Sequence, residues 1–89
     1  MSVYTANVTL GTAAVRIVPS FSNPQHVVLH NMTKSSNEYI FVGGSAVATD
    51  NSIHIDPGDN LYLTLPPGDD LWAVSDPAGL EVGVIATRK

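Results

Sequence analysis

Apolar residues recur at every second position along most of this chain, and that period fixes the fold class. Ile53 and Ile55 flank His54, and Leu61, Leu63 and Leu65 alternate with Tyr62 and Thr64. Leu80, Val82, Val84 and Ala86 alternate with Glu81, Gly83, Ile85 and Thr87. Ala13, Val15 and Ile17 alternate around Arg16, while Val27 and Leu29 point opposite to Val28 and His30. Such alternation puts one row of side chains on a core and the other outside. Glu38-Tyr39-Ile40-Phe41-Val42 is apolar on both faces and reads as a central strand covered twice. No ten-residue stretch carries an uninterrupted helical stripe, so the chain is all-β.

Turn residues punctuate these runs. Pro19, Asn23-Pro24, Ser35-Ser36-Asn37, Gly43-Gly44, Asp50-Asn51, Asp56-Pro57-Gly58, Pro66-Pro67-Gly68 and Asp76-Pro77 fall between them. Pro presets φ, Gly accepts positive φ, and Asn and Asp bond their own backbone. Strands are predicted near 3–10, 13–18, 26–32, 38–42, 46–49, 52–55, 60–65, 71–75 and 81–87. Their spacing of about ten residues is the rhythm of a small antiparallel β-sandwich or β-barrel, jelly-roll-like, of about eight short strands. Residues 1–12 read as an N-terminal arm or a first strand, and 13–89 as a single β domain.

One internal repeat is visible: Pro57-Gly58-Asp59-Asn60-Leu61-Tyr62 returns ten residues later as Pro67-Gly68-Asp69-Asp70-Leu71-Trp72. Pro-Gly suits the central positions of a type II turn, whose second residue needs φ > 0. The repeat reads as two successive turn-to-strand units of one antiparallel sheet. It also sets Tyr62 and Trp72 opposite the leucine row, where two exposed aromatics could stack on a sugar or a partner.

Charge narrows the partners. Among 89 residues only 13% are charged, 4 basic and 8 acidic, while 44% are hydrophobic. About 25% charged is typical of soluble domains. The hydrophobic content excludes disorder of the polar kind. A net charge of −4 with scattered Arg16, Lys34, Arg88 and Lys89 argues against nucleic acid, which needs clustered cations. No cysteine is present to make a disulfide or a thiolate zinc site. No apolar run approaches the roughly 20 residues of a membrane span. Met1-Ser2-Val3-Tyr4-Thr5 is unlike a secretory signal, so synthesis in a cytosol is expected.

Catalysis finds little support. Ser, His and Asp abound, but Gly43-Gly44-Ser45 lacks the second flank and the helix of a nucleophile elbow. Glu38 and Glu81 are isolated, and a chain this short has little room for a pocket of about 300–1,000 Å³. The expectation is a non-enzyme without cofactor. No metal is expected either: His26 and His30, four apart on a strand, share a face about 13 Å apart. His54 is the third imidazole. Asp50, Asp56, Asp59, Asp69, Asp70 and Asp76 sit in turns without the spacing of a calcium loop.

The surface then carries the function. Strand faces of Ser, Thr, Asn, Ala and Gly with charges confined to turns suit wet, extended protein contacts. Met1 to Leu10, mildly amphipathic before the Gly11-Thr12 break, is either an arm adding a strand to a neighbour or an ordinary first strand.

Four runs carry a family likeness: Val27-Val28-Leu29-His30-Asn31, Tyr39 to Val47 with Gly43-Gly44-Ser45, Ile53 to Leu65 with Pro57-Gly58, and Pro66-Pro67-Gly68-Asp69-Asp70-Leu71-Trp72-Ala73-Val74-Ser75. Over roughly residues 7–88 the chain resembles small head decoration, or accessory capsid, proteins of tailed bacteriophages. Ala48 stands where that pattern prefers threonine, and Trp72 replaces its usual tyrosine. The resemblance implies a virion structural protein on the capsid exterior, made in the host cytoplasm and bound to the major capsid protein. It implies homotrimers that stabilise the shell by multivalent binding. On that basis Val3, Tyr4, Val8 and Leu10 are the candidate capsid or subunit contacts, with Tyr62 and Trp72 candidates for outward contact. The alternatives are a carbohydrate- or host-surface-binding β module and a head–tail connector or tail accessory subunit. No nucleic-acid or membrane partner is expected.

Overall fold

The computed structural model describes residues 2–49 and 53–88. The expected turn at Asp50-Asn51, the start of the strand expected at 52–55, and the terminal residues Met1 and Lys89 lie outside the described residues. The strands are β1 (Ser2–Thr9), β2 (Val15–Val18), β3 (Gln25–Asn31), β4 (Tyr39–Gly43), β5 (Ile53–Ile55), β6 (Asn60–Leu65), β7 (Leu71–Asp76) and β8 (Glu81–Arg88). They form two antiparallel sheets: sheet A in the order β1-β8-β3-β6, sheet B in the order β2-β7-β4-β5.

The pairs β1·β8, β2·β7, β3·β6 and β4·β5 nest inside one another. They describe one long hairpin whose tip lies between β4 and β5. Rolling that hairpin adds the pairs β3·β8 and β4·β7. Eight strands wound this way into two packed sheets make a jelly roll. The fold is therefore a sandwich.

The inward rows of both sheets meet in one core. Val27 and Leu29 of β3 and Val82, Val84 and Ala86 of β8 face Ile17, Val18, Ile40, Val42, Ala73 and Ile55 of sheet B. Tyr4, Val8, Leu61 and Leu63 complete it from the edges of sheet A, only half-buried. Among the described residues, three polar side chains are fully buried, Gln25, Asn31 and Ser75. Each is hydrogen-bonded, as burial requires.

Three expectations are corrected. Residues 46–49 form no strand: Val47 donates to the Gly44 carbonyl at 3.0 Å, a tight turn that buries Val47 and lets the chain leave the sheet. Strand β4 is not covered on both faces. Ile40 and Val42 are buried inward, while Tyr39 and Phe41 are half-buried on the outside with no layer above them. The Pro-Gly repeat does not build one sheet either. Both turns carry the type II signature, with Asp59 N–H bonded to Asp56 at 3.0 Å and Asp69 N–H to Pro66 at 3.2 Å. Yet β5 and β7 belong to sheet B and β6 to sheet A, so each turn crosses the sandwich.

Ser2–Thr9 is the first strand of the domain's own sheet, paired with β8 from Ser2↔Arg88 to Thr9↔Glu81. The chain then passes over the sandwich end, where Gly79 donates to Leu10 at 2.7 Å and Ser75 to Gly11 at 2.9 Å.

Candidate functional site

Alternation hands each sheet an outer face, and the two differ in character. On sheet A the register aligns three rows across all four strands. Thr5, Ile85, Val28 and Tyr62 form the middle row. Val3, Thr87, His26 and Thr64 lie on one side of it, and Asn7, Gly83, His30 and Asn60 on the other. None of these residues is Asp, Glu, Lys or Arg.

The polar members pair laterally. His30 Nδ1 lies 2.6 Å from Asn60 Oδ1, and His26 Nδ1 lies 3.2 Å from Thr64 Oγ1. Thr87 Oγ1 donates to the His26 carbonyl at 3.4 Å. The middle row stands out from them, with Tyr62 exposed to 69% and Ile85 to 41%. The face is thus a largely apolar ridge between two rows that carry no Asp, Glu, Lys or Arg.

The charged side chains among the described residues sit elsewhere. Lys34 and Glu38 occupy the β3–β4 connection; Asp56, Asp59, Asp69 and Asp70 occupy the crossing turns. Asp76, Glu81 and Arg88 stand at strand ends, and Arg16 on β2. Arg88 folds inward: its Nε donates to Gln25 Oε1 at 2.8 Å, and its guanidinium lies 5.0 Å from the Tyr4 ring and 4.7 Å from the Phe21 ring.

Sheet B packs its outer face upon itself. Tyr39 meets His54 edge-on at 5.2 Å between centroids, and Phe41 meets it at 5.8 Å. Val74, opposite Phe41, is outward yet fully buried beneath these rings. Trp72 lies opposite Gly43, and its indole N–H donates to Asp70 at 3.1 Å. Asp70 in turn lies 3.9 Å from Arg16, and His54 3.1 Å from Asp56. These aromatics spend their surface on each other, and the rim is ionic.

The candidate contact residues scatter accordingly. Val3 is exposed to 58% on the outer face of sheet A, but Tyr4 and Val8 point inward and Leu10 is 2% exposed in the core. Leu10 therefore has no side-chain surface for a partner. Tyr62 and Trp72 lie on the outer faces of opposite sheets, which pack about 10 Å apart. One ligand cannot stack on both rings. The residues that line the neutral face beside Val3 and Tyr62, notably Thr5, Val28 and Ile85, were identifiable from the sequence as the off-beat partners of core positions. Their common face needed the strand order, which periodicity does not encode.

No group of three or more His, Cys, Asp or Glu residues that could hold a metal ion occurs among the described residues.

No protein-family model matches the sequence, and no curated protein matches it. Among solved structures, the chain is similar to a chain from Bacillus endospore appendages, described as a novel family of disulfide-linked pili. That similarity has a TM-score of 0.60 at 14% identity and covers 96% of this chain and 80% of that one. At this identity the likeness is one of fold.

Proposed function

We propose that this chain is a non-enzymatic structural subunit that works in many copies on a protein assembly, meeting its partners through the outer face of sheet A. The observation that carries this is the absence of permanent charge across three rows of that face, in a chain of net charge −4. A partner can cover such a face without desolvating an ion, a cost that often exceeds the gain from pairing it.

Size decides how the face is used. Four strands about 4.8 Å apart and three residue rows span roughly 400 Å². A standard interface buries about 800 Å² per partner. One face alone is too small for a tight binary complex, and repetition on a lattice compensates through avidity.

In its finer form, the proposal is decoration of a tailed-phage capsid: copies, expected as trimers, bind major capsid subunits on the shell exterior. This form rests on the sequence resemblance. Imaging parent particles with the chain labelled at Lys34, in the β3–β4 connection away from the face, tests it. Label distributed over the head supports decoration; label only at the neck or tail overturns it in favour of a connector or tail subunit. Ile85→Lys, which plants a charge on the ridge, is expected to abolish particle binding while keeping the β-sheet circular dichroism spectrum. Unchanged binding would remove sheet A from the interface.

A second form is a subunit of a filament, favoured by the fold likeness to the pilus chain. The disulfide linkage in that description has no counterpart here, since this chain contains no cysteine. A filament of these subunits would be held by non-covalent contacts.

A further inference from the structure

We propose that copies of this chain join edge to edge, strand β1 of one pairing antiparallel with strand β6 of the next, so that sheet A continues from copy to copy. The inference rests on the assembly-subunit proposal only for its biological use; the geometry stands by itself.

The four sheet edges are unequal. On sheet B, β5 is described over three residues, and β2 has four with a register shift between Arg16 and Val18 and a charge at Arg16. Shortness, bulges and charge are the usual protections against edge pairing. On sheet A, β1 runs eight residues and β6 six, both without a charged residue or a proline. Neither carries an internal register shift.

Their open hydrogen-bonding groups can be assigned. Leu10 N–H bonds the Leu80 carbonyl in the β1·β8 register, so by alternation Val3, Thr5, Asn7 and Thr9 point their N–H and C=O groups away from β8. Asn31 N–H bonds the Asp59 carbonyl in the β3·β6 register, which leaves those of Asn60, Tyr62 and Thr64 pointing outward. β1 and β6 bound a fully antiparallel four-stranded sheet and so run in opposite directions. A copy displaced along the sheet therefore meets its neighbour antiparallel without turning over.

Register follows from the rows. Thr5 and Tyr62 end the same middle row, so an unstaggered copy sets Tyr62 against Thr5, Thr64 against Val3 and Asn60 against Asn7. These are the residues whose backbone groups are open, and their side chains share the outer face. On the inner face the same register sets Leu63 against Tyr4 and Leu61 against Ala6.

The core itself favours β1 on β6 over a twofold β1 on β1. Its half-buried members, Tyr4, Val8, Leu61 and Leu63, all lie on these two strands. A β1–β6 joint brings Tyr4, Leu61 and Leu63 into the seam at every junction, whereas a β1–β1 dimer leaves Leu61 and Leu63 open.

Sedimentation velocity on the full chain and two edge variants tests this. Wild type is expected to form open-ended oligomers that grow with concentration. Thr5→Lys blocks one edge and Tyr62→Lys the other, at exposed positions where circular dichroism should stay that of wild type. Each variant alone is expected to be monomeric, and their mixture to form a 1:1 heterodimer through the remaining open edges. A wild type that stays monomeric at millimolar concentration overturns the proposal, as does a Tyr62→Lys variant that dimerises alone. Should a lysine unfold the chain, Thr5→Cys with Tyr62→Cys decides. Within one molecule these positions are three strand spacings, about 14 Å, apart, too far for a disulfide. Across the joint they are a hydrogen-bonded pair about 5.5 Å apart. A disulfide-linked ladder on oxidation supports the joint, and reduced monomer alone refutes it. Self-association without particle binding would defeat the decoration form and leave this joint standing.

Discussion

The side-chain amide of Asn31, at the end of β3 in sheet A, donates to the carbonyl of Ile55, on β5 in sheet B, at 2.9 Å. The same nitrogen donates to the Glu38 carbonyl at 2.9 Å, just before β4. Its Oδ1 accepts from Thr33 N–H at 3.1 Å and Thr33 Oγ1 at 2.7 Å. One fully buried side chain thus spends both donors tying the two sheets together and its acceptor on Thr33, where β3 turns toward β4.

Asn31→Leu keeps the size but strands two carbonyls and the Thr33 groups. A buried group left unsatisfied costs about 1–3 kcal/mol, and water can reach some of these. A loss of about 2–4 kcal/mol in urea unfolding is therefore expected. Asn31→Asp should be at least as damaging at neutral pH, because a carboxylate would face the two carbonyls it replaces a donor for. A loss below about 1 kcal/mol for both variants would mean the bridge is dispensable.

The two crossing turns make a prediction about glycine that open space alone would miss. Gly58 has φ 77° and Gly68 φ 85°, and an added Cβ at either would meet nothing within 4 Å. Gly11 has equal room without a positive φ. Gly58→Ala and Gly68→Ala should each cost about 1–2 kcal/mol, the penalty of an L-residue in the left-handed region. Gly11→Ala should be near neutral. Thermal unfolding of the three variants separates backbone strain from crowding.

Periodicity made the strands readable because one face of each is dry. Seven of the nine expected strands fall within a residue or two of those observed from β1 to β8, with Ser52 of another outside the described residues. Ala46-Val47 imitates a strand because it looks alternating, although Val47 is buried by a turn bonded to Gly44. Tyr39 and Phe41 suggested a second covering layer, whereas the outer cover comes from neighbouring rings, chiefly His54. Which sheet a strand joins was beyond the period. Apart from β4–β5, every connection crosses the sandwich, and a Pro-Gly turn has the same local chemistry in a crossing as in a hairpin. That is why Tyr62 and Trp72 looked like a pair and are not. Asn31 was visible only as a polar residue closing an apolar run.

Arg88 ties the end of β8 to its register partner Gln25 on the neighbouring strand β3, and through it to the Pro19 carbonyl after β2. Its Nε–H reaches Oε1 of buried Gln25, whose own Nε2 donates to the Pro19 carbonyl at 3.0 Å, and its plane lies near two rings. Arg88→Lys keeps the charge but loses the planar fork and the stacking. A destabilisation of about 1 kcal/mol is expected for Arg88→Lys and about 2 kcal/mol for Arg88→Ala, given about 1.5–3 kcal/mol for a hydrogen bond to a charged group. Equal stability of Arg88→Lys and wild type would show that charge alone suffices.

Trp72, the chain's single tryptophan, reports on the outer face of sheet B. It is half-buried on the same outer face as Val74, which points outward yet is fully covered. Trp72→Ala is expected to cost about 2 kcal/mol, less than the 3–5 kcal/mol of a core aromatic truncation, because the ring is only partly buried. The same position separates the two faces in solution. If copies meet through sheet A and its edges, the environment of Trp72 does not change on association. Its emission maximum should then stay constant from dilute to concentrated protein while the sedimentation coefficient rises. A blue shift that tracks association would move the contact to the aromatic face of sheet B, where Tyr39, Phe41 and Trp72 would be the surface to mutate next.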